Sequence, residues 1–244
     1  VGIESTYIPH AIDTHTFKPT AQIAGQNTRR FLNLKDDDFL IVVNSANKAN
    51  KSIHRKAYAE LLLAFSTFRK KVPNAYLYIH SEPTGIFGGF HLPRLAAACG
   101  LPMDAVLFPN PIDYRFSFEK PDLAAIYTAA DVALQVSYGG GFELPIMEAQ
   151  SCGTRVISIN WSAPKDLVAE DGWLIGGQMF WDEAQLAWFK VPSIHSIILA
   201  LEDAYEVHKE KGSHSEISRE FAKQFDAEKV WLEKWVPFLK EHLQ

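Results

Sequence analysis

The sequence predicts a doubly wound parallel α/β sheet in one large domain, and three observations carry that reading. Short, almost wholly apolar runs alternate with longer helical patterns over the 244 residues, the signature of βαβ units. Those runs lack the in–out alternation of a half-exposed strand, as expected where helices cover both faces of a sheet. The one glycine-rich segment, Ser137 to Glu143, falls between a strand and a helix, where open parallel sheets bind their ligands.

Taken in order, the predicted strands are Phe39–Val43, Tyr76–His80, Ala105–Phe108, Val132–Val136 and Arg155–Ile159, with a short one at Trp173–Ile175. The first long helix is expected over Arg55–Lys70, because Tyr58, Leu61, Leu62, Phe65 and Phe68 fall on one stripe of a 3.6-residue period. Further helices are expected at His91–Ala98, at Pro121–Ala130 behind a first-turn proline, and at Leu144–Ser151. Ser193–His208 carries the stripe Ile194, Ile197, Ile198 and Leu201, and Ala227–His242 carries Trp231, Trp235, Phe238 and Leu239. The aromatic stretch Gly176–Pro192, with Phe180, Trp181, Trp188 and Phe189, reads as a packed, irregular insertion loop.

Composition narrows the function classes. The net charge of −5 supplies no basic field for nucleic acid, so any phosphate binding must come from local groups. Cys99 and Cys152 stand far apart and in no metal-ligand spacing, which indicates neither a disulfide framework nor a metal site and fits a cytoplasmic setting. No apolar run approaches a spanning helix, and no signal pattern opens the chain. The start at Val1-Gly2-Ile3, without Met, reads as a cut from a longer protein.

Two segments carry chemistry. In Ser137-Tyr138-Gly139-Gly140-Gly141-Phe142-Glu143 a strand runs through three glycines into a helix. Glycines allow close backbone approach, and the free N–H groups of a helix's first turn attract an anion. The alternative is a tight turn that needs positive φ. Glu148, one turn into the helix, is either a solvated surface acid or a carboxylate placed to accept two ribose hydroxyls. The second segment follows the first strand, where Lys48, Lys51, Arg55 and Lys56 stand in a polar loop ahead of the long helix. Cations there can neutralise a diphosphate leaving group or simply flank a helix in solvent. They oppose the helix dipole, and such locally unfavourable choices concentrate at functional sites.

On these residues a resemblance becomes specific. Gly141-Phe142-Glu143-Leu144-Pro145-Ile146-Met147-Glu148-Ala149-Gln150-Ser151-Cys152-Gly153-Thr154-Arg155-Val156-Ile157 resembles the signature of the family-4 retaining glycosyltransferases, Glu-Gly-Phe-Gly-Leu-Pro-x-x-Glu-Ala-x-Ala-x-Gly-x-Pro-Val-Ile. Ile8-Pro9-His10-Ala11-Ile12-Asp13 with Phe17-Lys18-Pro19 resembles the family's inter-domain hinge, and Leu61–Phe65 its Leu-x-x-Ala-Phe helix. Lys51 and Lys56 fall where the family carries its Arg and Lys, with Lys48 competing for the place of Lys51.

The resemblance implies a GT-B enzyme, with this chain as its donor-binding domain: residues 1–20 the hinge, residues 21–244 a Rossmann-like domain closed by a crossover helix. It implies a nucleoside-diphosphate sugar (UDP- or GDP-sugar) as donor and no metal or other cofactor. The acceptor (glycan, lipid or protein) would be held by a preceding domain, with peripheral membrane association open for the full-length protein. By the same analogy Lys51, Lys56, Gly140, Gly141 and Phe142 hold the diphosphate, Glu148 the ribose, and Phe108, Pro109, Asn110 and Ile112 the base. Lys56 and Glu143 are the candidate catalytic groups. Two departures stand out. The family's first signature glutamate is Gly140 here, with Glu143 nearby at a position usually held by glycine. Lys51 replaces an arginine and loses bidentate phosphate geometry. Sugar transfer with retention is therefore set against a non-catalytic nucleotide-sugar-binding module.

Overall fold

A computed structural model describes residues 5–23, 26–49 and 53–243. It opens with a two-residue antiparallel pair, β1 (Gln22–Ile23) and β2 (Gln26–Asn27), and the short helix α1 (Thr28–Phe31). The central sheet comprises β3 (Phe39–Asn44), β4 (Ala75–His80), β5 (Val106–Leu107), β6 (Val132–Gln135), β7 (Val156–Ile159) and β8 (Trp173–Ile175). Its order is β5-β4-β3-β6-β7-β8 and every pairing is parallel. The chain therefore starts at the middle of the sheet, winds to one edge, and crosses over to build the other.

The connections are helical: α2 (Tyr58–Arg69), α3 (Leu92–Ala98), α4 (Pro111–Phe116), α5 (Lys120–Ala129), α6 (Leu144–Ser151) and α7 (Pro164–Leu167). After a hairpin of β9 (Gly177–Asp182) and β10 (Ala187–Pro192) come α8 (Ile194–Lys211) and α9 (Glu216–Ala222). Alternation along β3 divides the core. Phe39, Ile41 and Val43 join the cluster under α2, α3 and α8, whereas Leu40 and Val42 join the one under α5 and α6. Both faces being covered is why the strands read as apolar runs.

One buried ion cluster ties the sheet's amino edge. Asp131, just ahead of β6, accepts two hydrogen bonds from Arg29 at 2.9 Å each and one from the Leu40 N–H at 2.6 Å. His208 stands 3.2 Å away and Ser213 also donates to it. Burial pushes the Asp131 carboxyl up, but the donors from His208, Arg29, Ser213 and Leu40 outweigh this and hold it below the ordinary value.

The structure departs from the sequence reading in three places. Gly176–Pro192 is a regular antiparallel hairpin with six paired positions, from Gly177↔Pro192 to Ala187↔Asp182. Its tip lacks the Asn-Gly or Asp-Gly pair that announces short hairpins. Asp182 organises that tip by accepting the Ala184 N–H at 3.0 Å. The long helix begins at Tyr58 rather than Arg55, because buried Ala57 adopts the left-handed conformation at φ 52°. The closing segment is α10 (Ala227–Val230) and α11 (Val236–His242), joined by a π-helical turn at Trp231–Trp235 ahead of Pro237. Its Trp231, Leu232 and Trp235 remain exposed.

The described part of the N-terminal segment packs on this domain. Ile12 exchanges backbone hydrogen bonds with Phe225 and Ala227 at 2.9 and 2.8 Å, and the Phe17 carbonyl accepts from Ser151.

Candidate active site

The loop after β3 and the loop after β6 meet at the carboxyl edge of the sheet. The left-handed turn at Ala57 holds Arg55 and Lys56 out of the helix, and the Arg55 carbonyl accepts the Tyr138 N–H at 2.8 Å. Both cations are thereby aimed at the glycine loop. The Arg55 guanidinium donates to the Gly139 carbonyl and stands 3.7 Å from Glu143. Lys56 Nζ reaches both oxygens of Glu143, at 2.7 and 3.0 Å. These side chains are largely screened from water, with exposures of 15% for Lys56 and 11% for Glu143. The Ser137 hydroxyl donates to the same carboxylate at 3.1 Å.

Gly140 is explained by Glu143. A Cβ at position 140 would overlap the Glu143 carboxylate, so the missing side chain at one position makes room for the carboxylate of the other. Glu143 thus occupies the space against residue 140, and α6 begins immediately after it. Among the described residues, no protein acceptor takes the N–H groups of Gly140, Gly141 or Phe142. Cations and unclaimed backbone donors together line a cleft of about 490 Å³. An anion of phosphate size fits the chemistry of such a lining. The Phe142 ring packs on His10 and Phe225, at centroid distances of 5.3 and 5.9 Å.

Glu148 lies apart from that cleft, on the α5 side of α6. It accepts from the Tyr127 hydroxyl at 3.1 Å, and Tyr127 in turn accepts from Asn44 Nδ2 at 2.9 Å. Burial pushes its carboxyl above the usual range, against the lowering effects of the Tyr127 hydrogen bond and the Lys120 charge. From Asn44 the strand ends lead outward. Asn44 pairs in register with His80, whose ring packs on Phe118 at 4.8 Å. Phe118, Phe108, Pro109 and Asn110 line a second, apolar groove of about 600 Å³ beside the edge strand β5. Ile112 does not line it. Asn110 caps α4 by accepting the Ile112 N–H at 2.9 Å, and the turn leaves the Ile112 side chain 68% exposed. Lys51 lies outside the described residues.

The sequence reading missed Arg55 as a member of this site, although it stood in the basic cluster. It also missed Trp161, Ser162 and Gln185, which line the same cleft from the loops after β7 and β9. Only the density of aromatic residues near Phe180–Phe189 could have drawn attention to that side. Among the described residues, no group of three His, Cys, Asp or Glu side chains is placed to hold a metal ion.

The sequence profile described as "Glycosyl transferases group 1" matches residues 48–187, more than half of the chain and both halves of this cleft. The chain belongs to the group 1 glycosyl transferases. It is similar to D-inositol 3-phosphate glycosyltransferase 2 of Catenulispora acidiphila, at 35% identity over 50% of this chain and 27% of that protein. It is likewise similar to D-inositol 3-phosphate glycosyltransferase of Stackebrandtia nassauensis, at 33% identity over 63% of this chain and 32% of that protein. The chain thus spans a third or less of these relatives. Its fold recurs in the sucrose-phosphate synthase of Thermosynechococcus elongatus, with TM-score 0.70 and 22% identity over 96% of this chain and 51% of that one. The C-terminal domain of a glycosyl transferase group 1 family protein from Francisella tularensis superposes with TM-score 0.63 and 18% identity, over 87% of this chain and 97% of that domain. This group 1 glycosyl transferase domain has the Rossmann-like architecture of a GT-B C-terminal half. No helix among its described residues is long and apolar enough to cross a membrane.

Proposed function

We propose that this domain binds the nucleoside-diphosphate sugar in a retaining glycosyltransferase. The observation that carries the reading is the pairing of Lys56 and Arg55 with the unclaimed N–H groups of Gly140–Phe142 at the carboxyl edge of β6. Breaking the bond between the sugar's anomeric carbon and the diphosphate leaves charge on the departing oxygen. Preorganised cations and backbone dipoles stabilise such charge without reorganising. Lys56 and Arg55 take that role, Glu143 orients Lys56 and reaches toward the sugar, and Glu148 accepts the ribose hydroxyls. The groove at Phe108, Pro109 and Asn110 takes the base of a UDP- or GDP-sugar. An acceptor (glycan, lipid or protein) would meet the donor from outside this domain.

Calorimetric titration of the 244-residue chain with UDP, GDP and their sugars tests the reading. Binding that weakens with added salt is expected, since fixed cations carry the phosphate contacts. Absence of any binding at millimolar nucleotide sinks the proposal.

A further inference from the structure

The cleft holds aromatic side chains that a diphosphate does not require. Trp161 follows β7, and its indole N–H donates to the Trp188 carbonyl of β10 at 3.3 Å. Lys190 lies over the Trp161 ring, 5.5 Å from its centroid, and donates to the Asn160 carbonyl at 3.0 Å. Trp188 forms an edge-on pair with its cross-strand neighbour Trp181, centroids 5.6 Å apart, and the two indoles are 55% and 44% exposed. Gln185 at the hairpin tip and the Ser162 hydroxyl add polar groups to the same wall. Ser162 donates to the Gly140 carbonyl at 2.8 Å and adopts a left-handed backbone at φ 57°. Such a conformation in a non-glycine residue is held only where its surroundings enforce it.

The half-exposed Trp188 and the more covered Trp161, set among hydroxyl, amide and ammonium groups, match one ligand chemistry well: a pyranose, whose C–H face is apolar and whose rim is all hydroxyls. The sheet order gives the direction. Across the strand ends the groove beside β5 comes first, then Glu148 and Asn44, then the glycine loop after β6, and the aromatic hairpin follows β8. A nucleotide laid base, ribose, diphosphate along that order ends with its sugar at Trp161 and Trp188.

We infer that the β9–β10 hairpin, with Trp161 and Trp188 as its stacking surfaces, is a pyranose-binding subsite that sets which sugar ring this domain accepts. The inference rests on the donor-site reading above. The ring is either the one carried by the donor or one presented by the acceptor, and the same chemistry serves both.

The test labels the chain with fluorotryptophan, assigning lines by single Trp→Phe variants, and titrates UDP, GDP, their hexose conjugates and free methyl hexopyranosides. The expected result is a shift of the Trp161 and Trp188 lines by a hexose conjugate beyond that caused by the bare nucleotide, with Trp231 and Trp235 unmoved. Trp188→Ala should lower the ratio of affinity for nucleotide-sugar to affinity for nucleotide by about tenfold, roughly the loss of one aromatic face. A shift seen only with free methyl pyranoside in the presence of nucleotide assigns the subsite to the acceptor ring. Identical shifts for nucleotide and nucleotide-sugar, with none from any methyl pyranoside, overturn the inference while leaving the donor reading intact. Failure of every nucleotide to bind, with pyranoside shifts retained, overturns the donor reading instead.

Discussion

Glu143→Gln separates two roles that one carboxylate plays. In the free domain Glu143 sits 2.7 Å from Lys56 Nζ, so the three charges of Arg55, Lys56 and Glu143 sum to +1. A phosphate arriving on the other side of Lys56 would stand about 6 Å from that carboxylate, close enough for direct repulsion. Two unit charges at that separation repel by about 0.7 kcal/mol in a water-like dielectric and about 2.8 kcal/mol at an effective dielectric of 20. Neutralising Glu143 in place should therefore tighten nucleoside-diphosphate binding by about 0.7–2.8 kcal/mol, or roughly three- to a hundredfold. The Lys56 ammonium keeps an acceptor in the amide oxygen, so the fold should survive. Salt dependence should steepen, because the local charge rises to +2. On the proposed role, sugar transfer by the full-length protein should fall, since the carboxylate would no longer fix Lys56 for the leaving diphosphate. Calorimetry at two ionic strengths reads the binding, and a radiolabelled donor reads the transfer. Unchanged or weaker nucleotide binding by a folded Glu143→Gln variant would show that Glu143 does not compete with the phosphate and would refute the reasoning.

Three further outcomes follow from the same geometry. Glu148→Gln should weaken nucleoside-diphosphate binding by about 1.5–3 kcal/mol, the worth of hydrogen bonds to a charged acceptor, with equal calorimetric affinities counting against the ribose role. Ribose hydroxyls donate to the ionised form of Glu148, and burial raises its pKa in the free domain. Nucleotide affinity should therefore fall as pH drops through that raised pKa, and proton release on binding should be largest around it. A flat profile below neutrality, or the same profile in the Glu148→Gln variant, would deny the carboxylate this part. At the opposite edge, Asp131→Ala strips Arg29 of its buried partner and should cost about 3–5 kcal/mol in urea unfolding. The Asp131 pKa is lowered in the fold, so its contribution is present above the ordinary carboxylate pKa and is lost as pH falls through the folded value. An Asp131→Ala variant as stable as the parent would show the cluster to be dispensable.

Much of the sheet was legible because burial on both faces leaves strands with little choice but apolar residues, as in Phe39–Val43 and Val132–Leu134. The glycine loop was legible for a different reason: close backbone approach leaves a compositional trace. What the sequence hid was conformation without composition. Nothing in Ala57 announces a left-handed residue, and that residue alone moves Arg55 and Lys56 from a helix face into a turn. The β9–β10 tip uses Leu186 at φ 49° where glycine or asparagine would have signalled a hairpin. That Ile112 stands exposed, outside the groove of Phe108, Pro109 and Asn110, was not legible, because capping by Asn110 is a local hydrogen bond that composition does not rank against burial.

Tyr138 makes one backbone hydrogen bond in each direction: its N–H to Arg55, its carbonyl to the N–H of Lys190 at 2.9 Å. The cation turn and the aromatic hairpin are thus riveted to a single residue of the glycine loop. Mechanically, a displacement of either side is felt by the other through the two peptide units that flank the Tyr138 Cα. For descent with variation this divides the hairpin in two. Its base, at Lys190, is committed to the loop, while its tip, Glu183–Leu186, lies beyond the last paired positions, Asp182 and Ala187. On the subsite proposed above, a lineage can exchange the Trp188 side chain, and with it the sugar preferred, without disturbing the cations beneath.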